Sequence, residues 1–224
     1  LTQPRLLLKD TASSTSRQRF SDSQLTSLLN NAQKEVNARC FAVINSSSIP
    51  LAAGTTEYSL PSTNLLVLRV TVNHVPLAER TLSALDDADS AWLFDAQAVP
   101  SYYYLRVSTS LVAGVTRESI GFVPISSGSY TAQVEYLAQP ADLSGSSDVP
   151  FGSDNSRFNP FHHVLAYRSA YFGYLTIGDF ETAGVYLREY EMLAQQMEDV
   201  TKSRLLYNPN FRGNRVNKTM EVKQ

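Results

Sequence analysis

Residues 159–201 constrain the fold most, because they predict two helices joined by a very short turn. Asn159 and Pro160 favour a helix start, and apolar residues then recur at spacings of three and four. Gly178 favours the left-handed conformation that ends a helix, and Asp179 is a good cap for the next one. A joint this short makes the two helices antiparallel neighbours. Each has a single apolar face, so the pair needs a third partner.

An N-terminal helix from Phe20 to Cys40 is predicted to be that partner. Ser21 and Gln24 form a capping-box pattern, which marks a helix N-terminus. Apolar residues then recur at helical spacing: Leu25, Leu28, Leu29, Ala32 and Val36. Packing in a core is the expected role of these residues. The sequence therefore predicts a three-helix bundle of residues 21–45 and 159–201, preceded by an extended N-terminal arm over residues 1–20.

Residues 46–140 have a different character and predict short β-strands bounded by Gly, Pro and Asn. Strands are expected at Leu65–Val72, Tyr102–Thr109, Ser119–Ile125 and Tyr130–Ala138, with a short helix at Thr81–Asp86. Five or six such strands favour an antiparallel β-sandwich or barrel-like domain. Residues 141–158, rich in Pro, Gly, Ser and Asp, are expected to form a loop. The predicted fold class is therefore α+β, with a β-domain inserted into a helical bundle.

Composition favours a soluble globular protein. Of the 224 residues, 43% are hydrophobic and 18% are charged, which is ordinary for such proteins. The lone Cys40 excludes an intramolecular disulfide framework and is expected to be buried. No apolar run approaches the length of a membrane span, and no signal-peptide pattern is legible. We therefore expect no membrane partner.

The charge is distributed unevenly along the chain. Residues 202–224 carry a net charge of +5 and residues 1–20 carry +3, whereas residues 21–201 carry −10. The C-terminal stretch also places apolar residues among its cations, which a purely solvated tail would lack. We interpret it as an extended basic docking tail, with these candidate contact residues: Arg204, Leu205, Leu206, Tyr207, Phe211, Arg212, Arg215 and Lys218. A frayed solvated terminus is the bland alternative. Nucleic-acid binding is another, which the acidic body makes less attractive.

Residues that could carry chemistry form no recognisable constellation. The sequence contains no P-loop, nucleophile elbow or zinc-protease motif. His162 and His163 are adjacent and cannot point the same way from a helix, which argues against a metal site. Asp86, Asp87 and Asp89 miss the calcium-loop pattern. A divalent cation at the loop residues Asp142, Asp148 and Asp154 stays open but has no supporting pattern. We therefore predict no catalytic residue, no metal, no cofactor and no enzyme.

The order of these features resembles the head-to-tail connector adaptors of tailed bacteriophages. The similarity rests on RFSDSQLTSLLNNAQKEV, on GTTEYSLPSTNLLVLRVTVNHVPLAERTLSALDD, and on a short-linked helical hairpin followed by a basic tail. It implies a dodecameric ring beneath the portal protein, built on a helical bundle with an inserted β-domain. Such a ring lies in the neck of the virion after assembly in the host cytoplasm. It extends the DNA channel without specific DNA binding, and it presents a platform to a downstream tail or nozzle protein. In some members a C-terminal tail embraces the portal, which implies that role for the basic tail here.

Two other interpretations remain open from the sequence. One is a different neck or tail ring, such as a tail terminator. The other is a virion carbohydrate-binding or cell-wall-degrading module, in which Trp92 and Tyr102–Tyr104 would form an aromatic platform. Alternate residues of a strand point to opposite faces, so three consecutive tyrosines cannot form one platform. The sequence therefore favours the adaptor.

Overall fold

A computed structural model shows an α+β protein and describes residues 2–9, 19–89, 92–94, 97–109, 116–145 and 147–207. The α-helices are α1 (Thr2–Leu7), α2 (Asp22–Cys40), α3 (Leu82–Ala88), α4 (His162–Thr176) and α5 (Phe180–Tyr207). The strands are β1 (Ile44–Leu51), β2 (Glu57–Ser59), β3 (Asn64–Val72), β4 (Val75–Pro76), β5 (Ala78–Glu79), β6 (Tyr102–Thr109), β7 (Thr116–Val123) and β8 (Tyr130–Ala138). Short 3₁₀-helices cover Trp92–Phe94 and Ser153–Phe161.

The chain divides into two compact units. One comprises Leu1–Ile44 and Leu137–Arg204, and the other is built on Asn45–Tyr136. The first, which we call the helical unit, contains α1, α2, α4 and α5. The second, which we call the β unit, contains α3 and nearly all residues of the strands.

Helix ends in the helical unit follow local sequence signals in two of three cases. Gln24 N donates to Ser21 Oγ at 3.2 Å and Ser21 N donates to Gln24 Oε1 at 2.8 Å, which confirms the capping box of α2. Gly178 has φ of +79°, and Thr182 N donates to Asp179 Oδ1 at 3.0 Å, as the hairpin turn requires. The expected start of the first hairpin helix at Asn159 is wrong. Asn159 lies inside the 3₁₀-helix Ser153–Phe161, whereas an N-cap residue has an extended backbone conformation.

The N-terminal arm differs from the extended conformation expected for residues 1–20. Thr2–Leu7 forms α1, and Leu8 is buried after it. The hydroxyls of Tyr174 and Tyr186 both donate to the carbonyl of Leu7 at 3.0 Å. A Cβ at Gly173 would lie 2.6 Å from Leu8 Cδ2, so the missing side chain leaves room for Leu8. This tertiary packing, rather than local propensity, accounts for the helix.

The β unit contains two four-stranded sheets with the orders β1-β8-β3-β4 and β2-β7-β6-β5. The pairs β2–β7, β3–β4 and β6–β7 are antiparallel, whereas β5 and β6 pair in parallel. Neither sheet closes on itself within the described residues, so the barrel-like alternative is not confirmed. Strand β1 was not predicted, because its sequence INSSSIPL lacks apolar alternation. It lies at a sheet edge, where Pro50 is tolerated.

Candidate interaction surface

Helix α2 holds the segment after β8 through three buried or half-buried amide side chains. Asn37 Nδ2 donates to Ala138 O at 2.9 Å, and Asn37 Oδ1 accepts from Val43 N at 2.8 Å. Asn30 likewise donates to Leu143 O and accepts from Leu143 N. Gln33 donates to Ala141 O and accepts from Phe151 N. Each amide therefore satisfies one backbone donor and one acceptor, and together they fix residues predicted only as a loop.

Arg168 fixes α4 against its neighbours. Its Nε and Nη2 donate to the two carboxylate oxygens of Glu35 on α2, at 2.8 and 2.5 Å. The guanidinium also lies over three aromatic rings, with its central carbon 4.6 Å from the centroid of Tyr171 and 4.7 Å from those of Phe172 and Tyr190. A planar delocalised cation suits both contacts, whereas lysine lacks the two-pronged fork and the flat face.

Arg39 ties α2 to α5 at a second point. Its Nη1 lies 2.6 Å from Glu191 Oε2, and its Nε lies 3.4 Å from Glu198 Oε2. Burial lowers the pKa of Arg39, but the hydrogen bond and charge of Glu191 more than compensate and the pKa lies above its usual range. Arg39 and its two glutamate partners, which lie far apart in sequence, thus hold the inward side of α5 against α2. The outward side of α5 remains available for other contacts.

The outward side of α5 carries a stripe that we call the α5 seam, defined by Glu181, Val185, Arg188, Glu189 and Met192. These residues share one helical face by their spacing. Val185 and Met192 are 52% and 53% exposed, although both are large and apolar. A Cβ at the neighbouring Gly184 would meet no atom within 4 Å. The seam is therefore an open, partly apolar surface.

Carboxylates dominate the charge around the α5 seam. Between Glu181 and Asp199 the helix carries five of them and one arginine, a net charge of −4. Glu181, Glu191 and Asp199 are exposed, and Glu189 is half-buried. At the start of the helix, the Thr182 backbone N–H holds the pKa of Asp179 below its usual range, with smaller contributions from Lys9 and Arg19. Two of the five carboxylates, Glu191 and Glu198, bond to Arg39, so the seam itself carries a net charge of only −1.

A second exposed feature lies at the tip of the α4–α5 hairpin. Phe180 is 71% exposed and Ile177 is 36% exposed, on either side of the Gly178–Asp179 turn. An aromatic side chain this exposed is a good anchor for an interface, where buried aromatics supply much of the binding energy. The sequence analysis singled out neither residue.

The predicted docking residues lie at or beyond the limit of the described residues. The backbone of Arg204, Leu205, Leu206 and Tyr207 belongs to the last turns of α5, but their side chains are outside the description. Phe211, Arg212, Arg215 and Lys218 lie outside the described residues altogether. Their docking role therefore stays a prediction.

Two groups of acidic residues are engaged in local structure. Asp148 Oδ2 accepts hydrogen bonds from Ser144 N, Ser144 Oγ and Gly145 N, which hold the pKa of that exposed carboxyl below its usual range. Asp142 lies 2.8 Å from Lys34 Nζ, and Asp86 accepts from Trp92 Nε1 at 2.8 Å. The side chain of Asp154 lies outside the described residues. Across the part of the chain that the structure describes, no three His, Cys, Asp or Glu side chains form a group that could hold a metal ion.

The buried aromatic residues of the β unit do not form the platform that a glycan-binding module would need. Trp92 is only 6% exposed and meets Tyr104 edge to face, with ring centroids 5.3 Å apart. Tyr103 and Tyr104 are buried as well. The predicted burial of Cys40 is confirmed, and its Sγ lies 3.7 Å from Ala194 O.

Within the described residues, none of the helices combines the length and the apolar character needed to cross a lipid bilayer.

The described residues form an α+β chain that exposes large apolar side chains on one face of α5 and at the tip of the α4–α5 hairpin. The model of the SU10 adaptor protein family matches residues 1–213, and the chain belongs to this family. The family is one of phage head–tail adaptors, so the protein is a phage structural adaptor with a place in the virion. No curated protein matches the chain.

Proposed function

We propose that this adaptor forms a ring beneath the portal protein, joins head to tail, and extends the channel through which DNA passes. The observation that carries the proposal is the family match over residues 1–213. An adaptor between portal and tail needs at least two docking surfaces, and the chain offers the α5 seam, the hairpin tip and the basic tail. The role is structural, without catalysis.

The charge of the chain supports a channel that does not retain DNA. Residues 21–201 carry −10, and twelve copies of the whole chain would carry −24. An acidic wall repels the phosphate backbone, so DNA slides without binding. If the basic tails are directed away from the lumen, they do not attract DNA to the channel wall.

The basic tail is the proposed contact with the portal. Arg204, Arg212 and Arg215 would bind portal carboxylates through paired N–H groups, with Lys218 adding charge. Leu205, Leu206, Tyr207 and Phe211 would fill apolar pockets. Because every copy in a ring repeats the contact, even a weak one becomes strong through multivalency.

The test compares the full chain with a chain lacking residues 208–224 for attachment to purified, DNA-filled heads. We expect the shortened protein to keep the circular dichroism of the full chain but to lose attachment. A full-length variant with Arg212→Ala and Arg215→Ala should lose most of it, whereas the matched variant Arg80→Ala and Arg106→Ala in the β unit should not. Normal attachment of the shortened protein would overturn the docking role of the tail. Binding of the full chain to tail tubes but not to heads would instead favour a tail terminator.

A further inference from the structure

We propose that the open part of strand β3, at residues Asn64–Leu68, pairs antiparallel with the same segment of a second copy of this chain. We call this segment the β3 edge. The pairing has two-fold symmetry and closes with two copies. It therefore concerns the chain before it enters a ring and goes beyond the proposed function.

Strand β3 lacks a neighbouring strand along one side of its N-terminal half. It lies between β8 and β4 in its sheet, but β4 has only two residues, which pair with Thr71 and Val72. Leu77 N donates to Val70 O at 2.9 Å, and within the described residues no strand continues this pairing towards Asn64. The β3 edge is therefore open.

Backbone groups at the β3 edge point towards the open side. The Val70 carbonyl faces the β4 side, and the direction of backbone groups repeats every second residue along a strand. The backbone groups of Leu66 and Leu68 therefore face the same side, where no described residue pairs with them. Leu65 and Leu66 are also 46% and 47% exposed. An open edge of this kind takes up a further strand, because an extended backbone supplies donors and acceptors at the matching spacing.

Charge favours a second copy as the source of that strand. The β3 edge, with the sequence NLLVL, contains neither a charged residue nor a proline, so two such edges meet without repulsion. Charges and prolines protect strand edges from association. The edge strands of the two sheets, and β6 where β5 leaves it open, each carry one of them: Pro50 in β1, Pro76 in β4, Glu57 in β2, Glu79 in β5 and Arg106 in β6. The β3 edge is thus better suited to its own copy than to these strands.

Two-fold symmetry fixes the register of the pairing. In a symmetric antiparallel pair one residue lies opposite its own copy, and Leu66 is the middle of the uncharged stretch. The two Leu66 residues then exchange N–H···O bonds, and Leu68 N donates to Asn64 O of the second copy. Asn64 N needs no partner there, because it already donates to Pro61 O at 2.9 Å. The pairing also covers an edge that would otherwise invite unspecific strand addition.

Oxidation of full-length chains with an introduced cysteine tests this register. The Cα atoms of a directly opposite, hydrogen-bonded pair lie about 5.5 Å apart, which a disulfide can bridge. Leu66→Cys should therefore form a disulfide-linked dimer. Leu65→Cys is the matched control, because it is almost equally exposed but lies diagonally across from its copy, about 7–8 Å away. It should react at least about tenfold more slowly, and Cys40 is buried in both variants.

Two results of the oxidation experiment would overturn the proposal. Equal rates for Leu66→Cys and Leu65→Cys would show that the chains meet without this register. Absence of a Leu66→Cys dimer would show that the β3 edge does not bind a second copy and would leave it to a strand of another protein.

Charges placed at the symmetry axis give a second test, by sedimentation equilibrium of the full chain. Leu66→Lys and Leu66→Glu each bring like charges together, so each variant alone should associate at least about tenfold more weakly than the original chain. An equimolar mixture of the two should regain association, because unlike charges then face each other. Val99→Lys, at an apolar position that is also 47% exposed, is the control and should leave association unchanged. Circular dichroism checks that each variant is folded. A mixture that associates no better than either variant alone would contradict the two-fold pairing.

Discussion

The helical unit and the β unit differ in how far apart in sequence the residues joined by their side-chain bonds lie. In the helical unit, side-chain contacts join residues far apart in sequence: Glu35 to Arg168, Asn30 to Leu143, and Arg39 to Glu191. In the β unit, aromatic donors bond to carboxylates nearer in the chain. Tyr103 donates to Glu79 and Trp92 donates to Asp86. These bonds of the helical unit span more than a hundred residues, whereas side-chain bonds of the β unit span fewer, for example the 85 residues between Ser48 and Gln133.

The difference follows from what the backbone already provides. Strands β6 and β7 are joined by a continuous ladder from Tyr102 with Val123 to Thr109 with Thr116, so side chains there need only complete the packing. Helices satisfy their backbone groups internally, and nothing but side chains fixes one helix against another. A unit assembled from both ends of the chain therefore depends on a few directional contacts. Substitutions at those contacts should cost more than substitutions of comparable groups in the β unit.

The largest effect is expected at Arg168. Its side chain is 13% exposed, bonds to Glu35 with two N–H groups, and covers three aromatic rings. Arg168→Met should lower the free energy of unfolding by about 3 kcal/mol, because it removes the cation that covers three aromatic rings as well as the partner of Glu35, whose side chain is 39% exposed. Urea unfolding followed by circular dichroism measures this change. Arg188→Ala, an exposed arginine on the α5 seam, is the control and should change the value by less than about 0.5 kcal/mol.

Arg168→Lys tests whether the shape of the side chain matters in addition to its charge. If shape and stacking matter as well as charge, lysine should recover less than half of the loss, because it lacks the planar fork and the flat face. Full recovery by lysine would show that only the charge of Arg168 matters. If Arg168→Met lowered the free energy of unfolding no more than Arg188→Ala, the helical unit would not depend on this side-chain contact as we expect.

A smaller effect is expected for the amide contacts of α2. Asn37 is fully buried and bonds to both Val43 N and Ala138 O. Asn37→Ala should cost about 2 kcal/mol, since it leaves a backbone donor and a backbone acceptor unsatisfied. Hydrogen exchange of the Val43 amide, measured by NMR, should accelerate with it. Asn31→Ala, at an exposed position of the same helix, should leave both the stability and the exchange unchanged.

Sequence patterns located the main elements but missed the contacts that fix them. Repeated apolar residues indicated α2 and α5, and Gly178 with Asp179 correctly marked the hairpin turn. Arg168 and Asn37 were missed because a polar residue on a helix is expected to face solvent, and their partners Glu35 and Ala138 lie more than a hundred residues away. Helix α1 has only six residues, too few for a periodic signal. The docking role of the tail stays a prediction, since the side chains that carry it lie outside the described residues.

The smallest effect is expected in the β unit, at the hydroxyl of Tyr104. Burial, followed by the nearby charge of Glu57, raises the pKa of Tyr104 to about 12. Because this folded-state pKa lies above the ordinary value of 10.0, the stabilisation is complete below pH 10 and is lost as the pH rises through about 12. Tyr104→Phe should cost only about 0.5 kcal/mol at neutral pH, because the donor lies 3.3 Å from a half-buried carboxylate. Ultraviolet titration of Glu57→Gln should show the pKa of Tyr104 moving down towards its ordinary value, with Glu79→Gln as the control that leaves Tyr104 unchanged. A loss for Tyr104→Phe as large as that for Asn37→Ala would contradict the view that side-chain hydrogen bonds matter less where a strand ladder already fixes the backbone.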